Sequence, residues 1–423
     1  MKYTENEVLR FVQENDVKFI RLAFCDIYGN QKNISIMPRE LARAFENGIP
    51  FQANLIDGFL CKENKLLLIP DPTTMAILPW RPQTGRVVRF FCNIKTCDGN
   101  NFICDARYFL WRAAERLEKH QIECDIGTEC EFYLFQTDEE GFPTKTPHDY
   151  ATYFDIAPKD KAENVRREIC LSLEQMGITP LSSHHERGPG QNAIVYKYSE
   201  PVLAADDFIT YKSVVKTIAN KNGLYASFMP KPLKTEIGNN LTLSFSLYRN
   251  DNNLFCSDTM RESHDASAFA AGLQHSLREL SLFLYSSSNS YERLGEETFT
   301  GIINFSDTDH DSAIRIISDD TDQSGLILNI TDTCANPYLI FGLLINAGID
   351  GIEQGLSLSA EQQKFAVDLE ESISIAKSSK FLNSIVPDEI LMQYLGKKKS
   401  ELDMVRNADS REDTEYHLYF DQY

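Results

Sequence analysis

The chain has no C-x-x-C pair and no Cys/His cluster at zinc spacing, although ten cysteines are scattered at positions 25, 61, 92, 97, 104, 124, 130, 170, 256 and 334. That spacing excludes a zinc ribbon or a dithiol redox centre and reads as reduced, mostly buried thiols. Long hydrophobic runs are also missing. No stretch approaches the roughly 20 apolar residues that span a bilayer, and the opening MKYTENEVLRF has no apolar signal-type core, so the expected location is cytoplasmic. Basic residues are few: 42 against 62 acidic ones leave a net charge of -20, which repels phosphate backbones and anionic lipid and excludes nucleic acid and membranes as partners. Repeats and low-complexity tracts are absent too, which excludes a solenoid or a linker-rich protein.

What is present is a globular composition, 42% hydrophobic and 25% charged, over 423 residues, a length that favours a small domain joined to a larger one. Residues 1–98 read as a small β domain: Lys18–Cys25 and Arg86–Cys92 are apolar or alternating, and Asp26-Ile27-Tyr28-Gly29-Asn30 is a turn. The polar stretch Asp98-Gly99-Asn100-Asn101 then precedes a helical stripe of Phe109, Ala113 and Leu117, which places the second domain at 103–423. Strand candidates at Cys130–Phe135, Ala193–Tyr196, Leu241–Leu247, Ala313–Ile317 and Leu326–Ile330 alternate there with amphipathic helices over 162–176, 205–222 and 264–287. Apolar stripes over Ser359–Ser374 and Asp388–Tyr394 predict a helical end. The fold class expected is α+β or α/β.

Two places carry candidate chemistry. In Gly127-Thr128-Glu129-Cys130-Glu131-Phe132, the strand period sends Glu129 and Glu131 to one face, roughly 7 Å apart. Their repulsion is relieved by a hard divalent cation or, on the blander reading, by solvent. In Ser183-His184-His185-Glu186-Arg187-Gly188-Pro189-Gly190-Gln191-Asn192-Ala193, a further carboxylate sits beside a Gly/Pro turn, which is either a third oxygen ligand near phosphates or an ordinary surface turn.

Taken in order, Glu129-x-Glu131-Phe-Tyr-Leu-Phe, His184-His185-Glu186 with Gly190-Gln191-Asn192, Phe228-Met229-Pro230-Lys231-Pro232, Asn289-Ser290-Tyr291-x-Arg293-Leu294, Ala335-Asn336-Pro337-Tyr338-Leu339 and Ala347-Gly348-Ile349-Asp350-Gly351 closely resemble glutamine synthetases. The resemblance covers nearly the whole chain. It implies an α+β architecture: a β-grasp domain followed by a catalytic domain with an antiparallel sheet and C-terminal helices. It also implies a homo-oligomeric ring or double ring with sites between subunits, and use of ATP with two Mg²⁺ or Mn²⁺ ions to join ammonia to glutamate. The metals and arginines of such a site offset charge on the transferring phosphoryl group.

By that resemblance Glu129, Glu131 and Glu186 are metal ligands, Arg293 and Gly238 contact substrate, and Lys231 and Ser246 contact nucleotide. Gly190 and Gln191 also fill matching positions. Other family positions are changed. Ala193 and Thr242 replace two metal ligands, Ser244 replaces a second usual histidine, and Ile327 replaces the late glutamate. No acid occurs between Glu186 and Glu200, no histidine between His185 and His264, and no glutamate from Thr298 to Ile352. The arginine-rich strand corresponds to Thr308-Asp309-His310, and Asn329 stands where an arginine precedes the Asn-Pro-Tyr motif. Gln52 replaces the aspartate that helps deprotonate ammonium, which a glutamine cannot do, and Phe299 falls near the glutamate of the flap. The expectation is a family member whose ligase chemistry is degenerate and which acts in binding, regulation or assembly, with an active paralogue as one conceivable partner. The rival expectation is a carboxylate-amine ligase with a rebuilt site.

Overall fold

The computed structural model describes residues 3–59, 64–256, 259, 264–296, 300–309, 312–318 and 324–420. The chain opens with helix α1 (Glu5–Glu14), started by a capping box in which Thr4 and Glu7 exchange hydrogen bonds and seated on the core through Val8 and Val12. Strands β1 (Val17–Cys25) and β2 (Gln31–Ile36) form a hairpin, and helix α2 (Leu41–Asn47) leads to β3 (Ile49–Gln52). Then come β4 (Lys65–Pro70), the short β5 (Ala76–Ile77) and β6 (Arg86–Thr96). These make a six-stranded sheet in the order β2-β1-β6-β4-β3, with β5 on β6. The β1–β6 pair is parallel, the other pairs antiparallel. The small domain is thus less purely β than its sequence pattern predicts, because α1 and α2 cover apolar faces that two short hairpins alone would leave wet.

Helix α3 (Ala106–Lys119) follows, capped by Asp105. The second, ten-stranded sheet is built around the long strand β7 (Glu123–Thr137). Its other members are β8 (Pro143–Pro147), β9 (Pro180–His185), β10 (Gln191–Tyr196), β11 (Leu224–Ser227), β12 (Leu241–Arg249), β13 (Asn252–Asn253), β15 (Phe305–Ser306), β16 (Ile314–Ile317) and β17 (Gly325–Thr331), while β14 (Ile302–Ile303) pairs separately with β18 (Gln363–Lys364). The central order is β15-β16-β17-β12-β7-β10-β9. Helices α4 (Glu163–Gln175) and α5 (Pro201–Lys221) lie between strands of this sheet in the chain, and α5 packs on β7 and β11.

Helix Pro337–Gln354 is buried along nearly its whole length, started by the Asn336 side chain, which accepts from the N–H of Tyr338. It packs against α3 and helix Asp265–Ser276. The second contact depends on two facing glycines: a Cβ on Gly351 would lie 2.7 Å from the Gly272 Cα, and one on Gly272 would lie 2.2 Å from the Ala347 carbonyl. The two domains are tied by Arg107 of α3, which pairs at 2.9 Å with Asp71 of the small domain and at 2.9 Å with Asp206 of α5.

Two helical expectations are corrected. The stripe over 264–287 is not one helix: Asp265–Ser276 ends and a short turn of helix, Ser281–Leu284, follows, since the chain bends to bury Leu277 and Leu280. Within Ser359–Ser374 the first part is irregular and contains β18, and the helix starts at Leu369 behind an Asp368 cap. Of the cysteines, Cys25, Cys92, Cys104, Cys124, Cys130 and Cys334 are buried thiols, Cys97 is exposed, and Cys61 lies outside the described residues.

Candidate functional site

One face of the large sheet collects most of the residues singled out by sequence. Along β7 the side chains of Cys130, Phe132 and Leu134 are fully buried, which turns Glu129 and Glu131 to the other face. Register then dictates the neighbours, because directly opposed residues share a face. Glu129 faces Thr242 of β12 and Val195 of β10, and Glu131 faces Ala193, which itself faces His184 of β9. On the far side, Ser244 lies between Gly127 and Ile327 of β17, and Ile327 faces Arg315 of β16.

Ligand atoms of Glu129, His184 and Glu186 all lie within 4.8 Å of one another. His184 Nε2 is 2.7 Å from a Glu186 carboxylate oxygen. Burial and the neighbouring Glu186 charge push the Glu129 carboxyl above its ordinary range. The stacked rings of Tyr153 and Phe154, 3.9 Å apart, stand edge-on to the His184 ring at 5.8 and 4.9 Å. Two carboxylates and one imidazole make a donor set suited to a divalent ion such as Mg²⁺ or Mn²⁺ with water completing its shell. His184 was read from sequence as part of the His184-His185-Glu186 motif but not as a ligand. Its signal was the two-residue step to Glu186, which puts both side chains on one side of an extended segment.

Glu131, expected beside Glu129 as a ligand, has one carboxylate oxygen committed to hydrogen bonds. One of its oxygens accepts from Gln191 Nε2 at 2.8 Å and from the Asn240 backbone N–H at 3.0 Å. Burial and the Glu186 charge hold its carboxyl well above the usual range. His185, in contrast to His184, points into the protein: its Nε2 lies 2.8 Å from Asp149 Oδ1, and both side chains are fully buried. Asp149 also accepts from the N–H groups of Gly190 at 3.1 Å, Ala151 at 3.2 Å and Lys161 at 3.0 Å. Burial works against that carboxylate, but the His185 bond and the amides outweigh it and hold its pKa at about 2. The His185–Asp149 pair therefore anchors the turn that delivers Glu186 and Gln191.

The other half of the face is filled by neutral hydrogen bonds and closed ion pairs. Arg293, 1% exposed in the helical turn Asn289–Arg293, donates to Asp332 at 2.9 Å and to Asn240 Oδ1 at 2.7 Å. The Asn240 amide donates to Thr242 Oγ1 at 3.1 Å, and Thr242 donates to Asn329 Oδ1 at 3.0 Å. A continuous chain from Asp332 to Asn329 thus occupies positions where the resemblance calls for histidine and arginine. Gly238 makes room for Arg293, since a Cβ there would lie 2.6 Å from Arg293 Cγ and 2.7 Å from the Pro230 carbonyl. Lys231 Nζ pairs with Glu296, whose second oxygen accepts from the Gly238 N–H at 3.2 Å. Ser246 is buried two residues beyond Ser244 on the same strand face.

Asp332, Asn240 and Glu296 escaped the sequence reading. Each is an ordinary polar residue whose partner comes from a distant segment, and no local spacing announces it. Two further positions lie elsewhere. Gln52 ends edge strand β3 of the small sheet, opposite Lys65. Thr308 is exposed in a turn, where its N–H donates to Ser306 Oγ at 3.1 Å. Phe299 and His310 lie outside the described residues.

Comparison with known proteins agrees with this layout. The family model described as glutamine synthetase, catalytic domain, matches residues 103–419, and that described as glutamine synthetase, beta-Grasp domain, matches residues 16–97. A glutamine synthetase of Clostridium saccharobutylicum is 36% identical, covering 96% of each chain. One of Methanosarcina mazei is 37% identical, covering 95% of this chain and 94% of its own. A solved structure of apo GmaS without ligand superposes with a TM-score of 0.85 at 25% identity, covering 97% of this chain and 98% of that one.

Proposed function

Since this chain belongs to the glutamine synthetase family, we propose that it is a member whose ligase chemistry is degenerate and which serves in binding, regulation or assembly. On this reading it binds one divalent ion of the Mg²⁺ or Mn²⁺ type through Glu129, His184 and Glu186, and it retains the homo-oligomeric ring of the family in the cytoplasm. The observation that carries the proposal is the make-up of the sheet face around the acids of β7: Ala193 opposes Glu131, Thr242 opposes Glu129, and Ser244, Ile327 and Asn329 stand further along β12 and β17, none of the five offering a carboxylate or imidazole. A second ion bridging transferred phosphoryl oxygens needs hard anionic or imidazole ligands, and hydroxyl, amide and alkyl groups are poor substitutes.

The fit to ATP is correspondingly poor. Lys231 and Arg293, the retained cations of the matching motifs, are each closed onto a carboxylate, Glu296 and Asp332. Triphosphate would have to break those pairs before it was stabilised by them, and a group that stabilises ground-state partners of its own gives little to a transition state. Phosphate release from ATP in the presence of glutamate, ammonium and Mg²⁺ or Mn²⁺, run beside calorimetric titration of Mg-ATP, tests the reading. The expected result is no glutamate-dependent turnover. Glutamate-dependent turnover would overturn it in favour of a carboxylate-amine ligase with a rebuilt site.

A further inference from the structure

Away from the sheet face, a cavity of about 900 Å³ opens where the small domain meets α3 and α5. Its size falls within the range of small-molecule pockets. Its walls mix Phe11, Met75 and Ile77 with Trp111 of α3, and two arginines, Arg89 and Arg107, line it.

The two arginines differ sharply in their partners. Arg107 is compensated twice, by Asp71 and by Asp206, with a further bond of 2.6 Å to Asn93. Arg89, 7% exposed, makes no ion pair among the described residues. Its guanidinium lies 4.0 Å over the Phe91 ring and donates one hydrogen bond of 2.8 Å, to Thr210 Oγ1, while its Nε has no partner. The acids nearby do not answer it. Asp206 is held by Arg107 and by the Tyr338 hydroxyl at 2.6 Å, and Asp207 is pushed up to about 7 by burial and by Asp206, so it carries only part of a charge at neutral pH. A buried guanidinium that lines a cavity and has no ion-pair partner among the described residues is a costly arrangement unless an anion completes it. Planar donors of this kind suit a carboxylate. The cavity also bears Glu115, Glu118 and Glu200. Those acids oppose a multiply charged phosphate and favour a ligand with an ammonium group.

We propose that this interdomain cavity is a binding site for a small amino-carboxylic acid with an apolar body, its carboxylate on Arg89, its ammonium toward the glutamates, and its side chain against Phe11, Met75 and Ile77. The site is separate from the acids of the sheet face. Because the ligand would touch both domains, its binding would stiffen their junction.

L-phenylalanine is the probe, titrated calorimetrically into the intact chain, with inorganic phosphate in a parallel titration. Saturable binding of phenylalanine that is unaffected by Mn²⁺ is expected. It should weaken at least 10-fold in Arg89→Lys, which keeps the charge but loses the fork, and at least 10-fold in Val202→Trp, which narrows the cavity from α5 and leaves Arg89 in place. Thermal melting of both variants near the parent temperature confirms that they are folded. Absence of saturable phenylalanine binding, binding of phosphate in preference to phenylalanine, or full binding in folded Val202→Trp would each overturn the proposal.

Discussion

The two halves of the large-sheet face share one register but differ in chemistry. On the β7–β10–β9 side, Glu129, Glu131, His184 and Glu186 crowd negative charge and imidazole together, and burial with mutual repulsion raises the carboxyls of Glu129 and Glu131. On the β12–β17 side, Thr242 and Asn329 satisfy one another and Arg293 is closed on Asp332. One half is therefore held in a state that a cation would relieve, whereas the other sets its buried arginine against a carboxylate of its own. Backbone pairing is indifferent to which side chains stand on the solvent-facing positions of a strand, so a sheet can lose half its site without losing its register.

The largest effect that would break this comparison is removal of the acidic half. Glu129→Gln combined with Glu186→Gln should weaken Mn²⁺ binding by about 100-fold or more, since loss even of outer-sphere partners costs 10–100-fold, whereas Thr242→Val on the opposite strand should leave it within about twofold. Mn²⁺ titration followed by electron paramagnetic resonance reads both; equal losses would mean that the two halves share the ion. Next in size, Gly238→Ala forces a methyl group against Arg293 and the Pro230 carbonyl, and should cost about 1–3 kcal/mol in urea unfolding. An unchanged midpoint would show that the Arg293 chain is slack rather than packed.

A smaller effect sharpens the comparison through pH. Asp149, held at about 2 against an ordinary 3.8, contributes stability that is present above the unfolded-state value and is lost as pH falls through the native one. Asp149→Asn should therefore cost about 2 kcal/mol at neutral pH, and the gap to the parent should close between about pH 4 and pH 2. A gap that stays constant over that range would assign the loss to packing of the Glu186 turn and not to the charge.

The legibility of the molecule in its sequence follows the range of the interactions involved. Strands β7, β12, β16 and β17 were readable because burial on alternate residues over part of each leaves a local period of two, and β10 because it is a short apolar run buried on both faces. The break at Leu277 and the irregular start of the Ser359 segment were not, because each depends on what the chain packs against there. Glu129 and Glu186 were readable by motif and turned out to lie together. His184 stood inside the His184-His185-Glu186 motif but was not read as a ligand, and Asp332, Asn240 and Glu296 acquire meaning only through partners 39 to 65 residues away.

The linear sequence determined the family, the α+β class and the presence of neither carboxylate nor imidazole at Ala193, Thr242 and Ile327, since residue identity and order are complete in one dimension. Tertiary structure alone decided that Glu131 faces Gln191 and Asn240, that Lys231 and Arg293 are closed on acids, and that Arg89 lies buried beside an interdomain cavity without an ion-pair partner among the described residues. Those outcomes depend on which distant groups share a few ångströms of low-dielectric space, where the energy of a charge is set by its neighbours and not by its place in the chain.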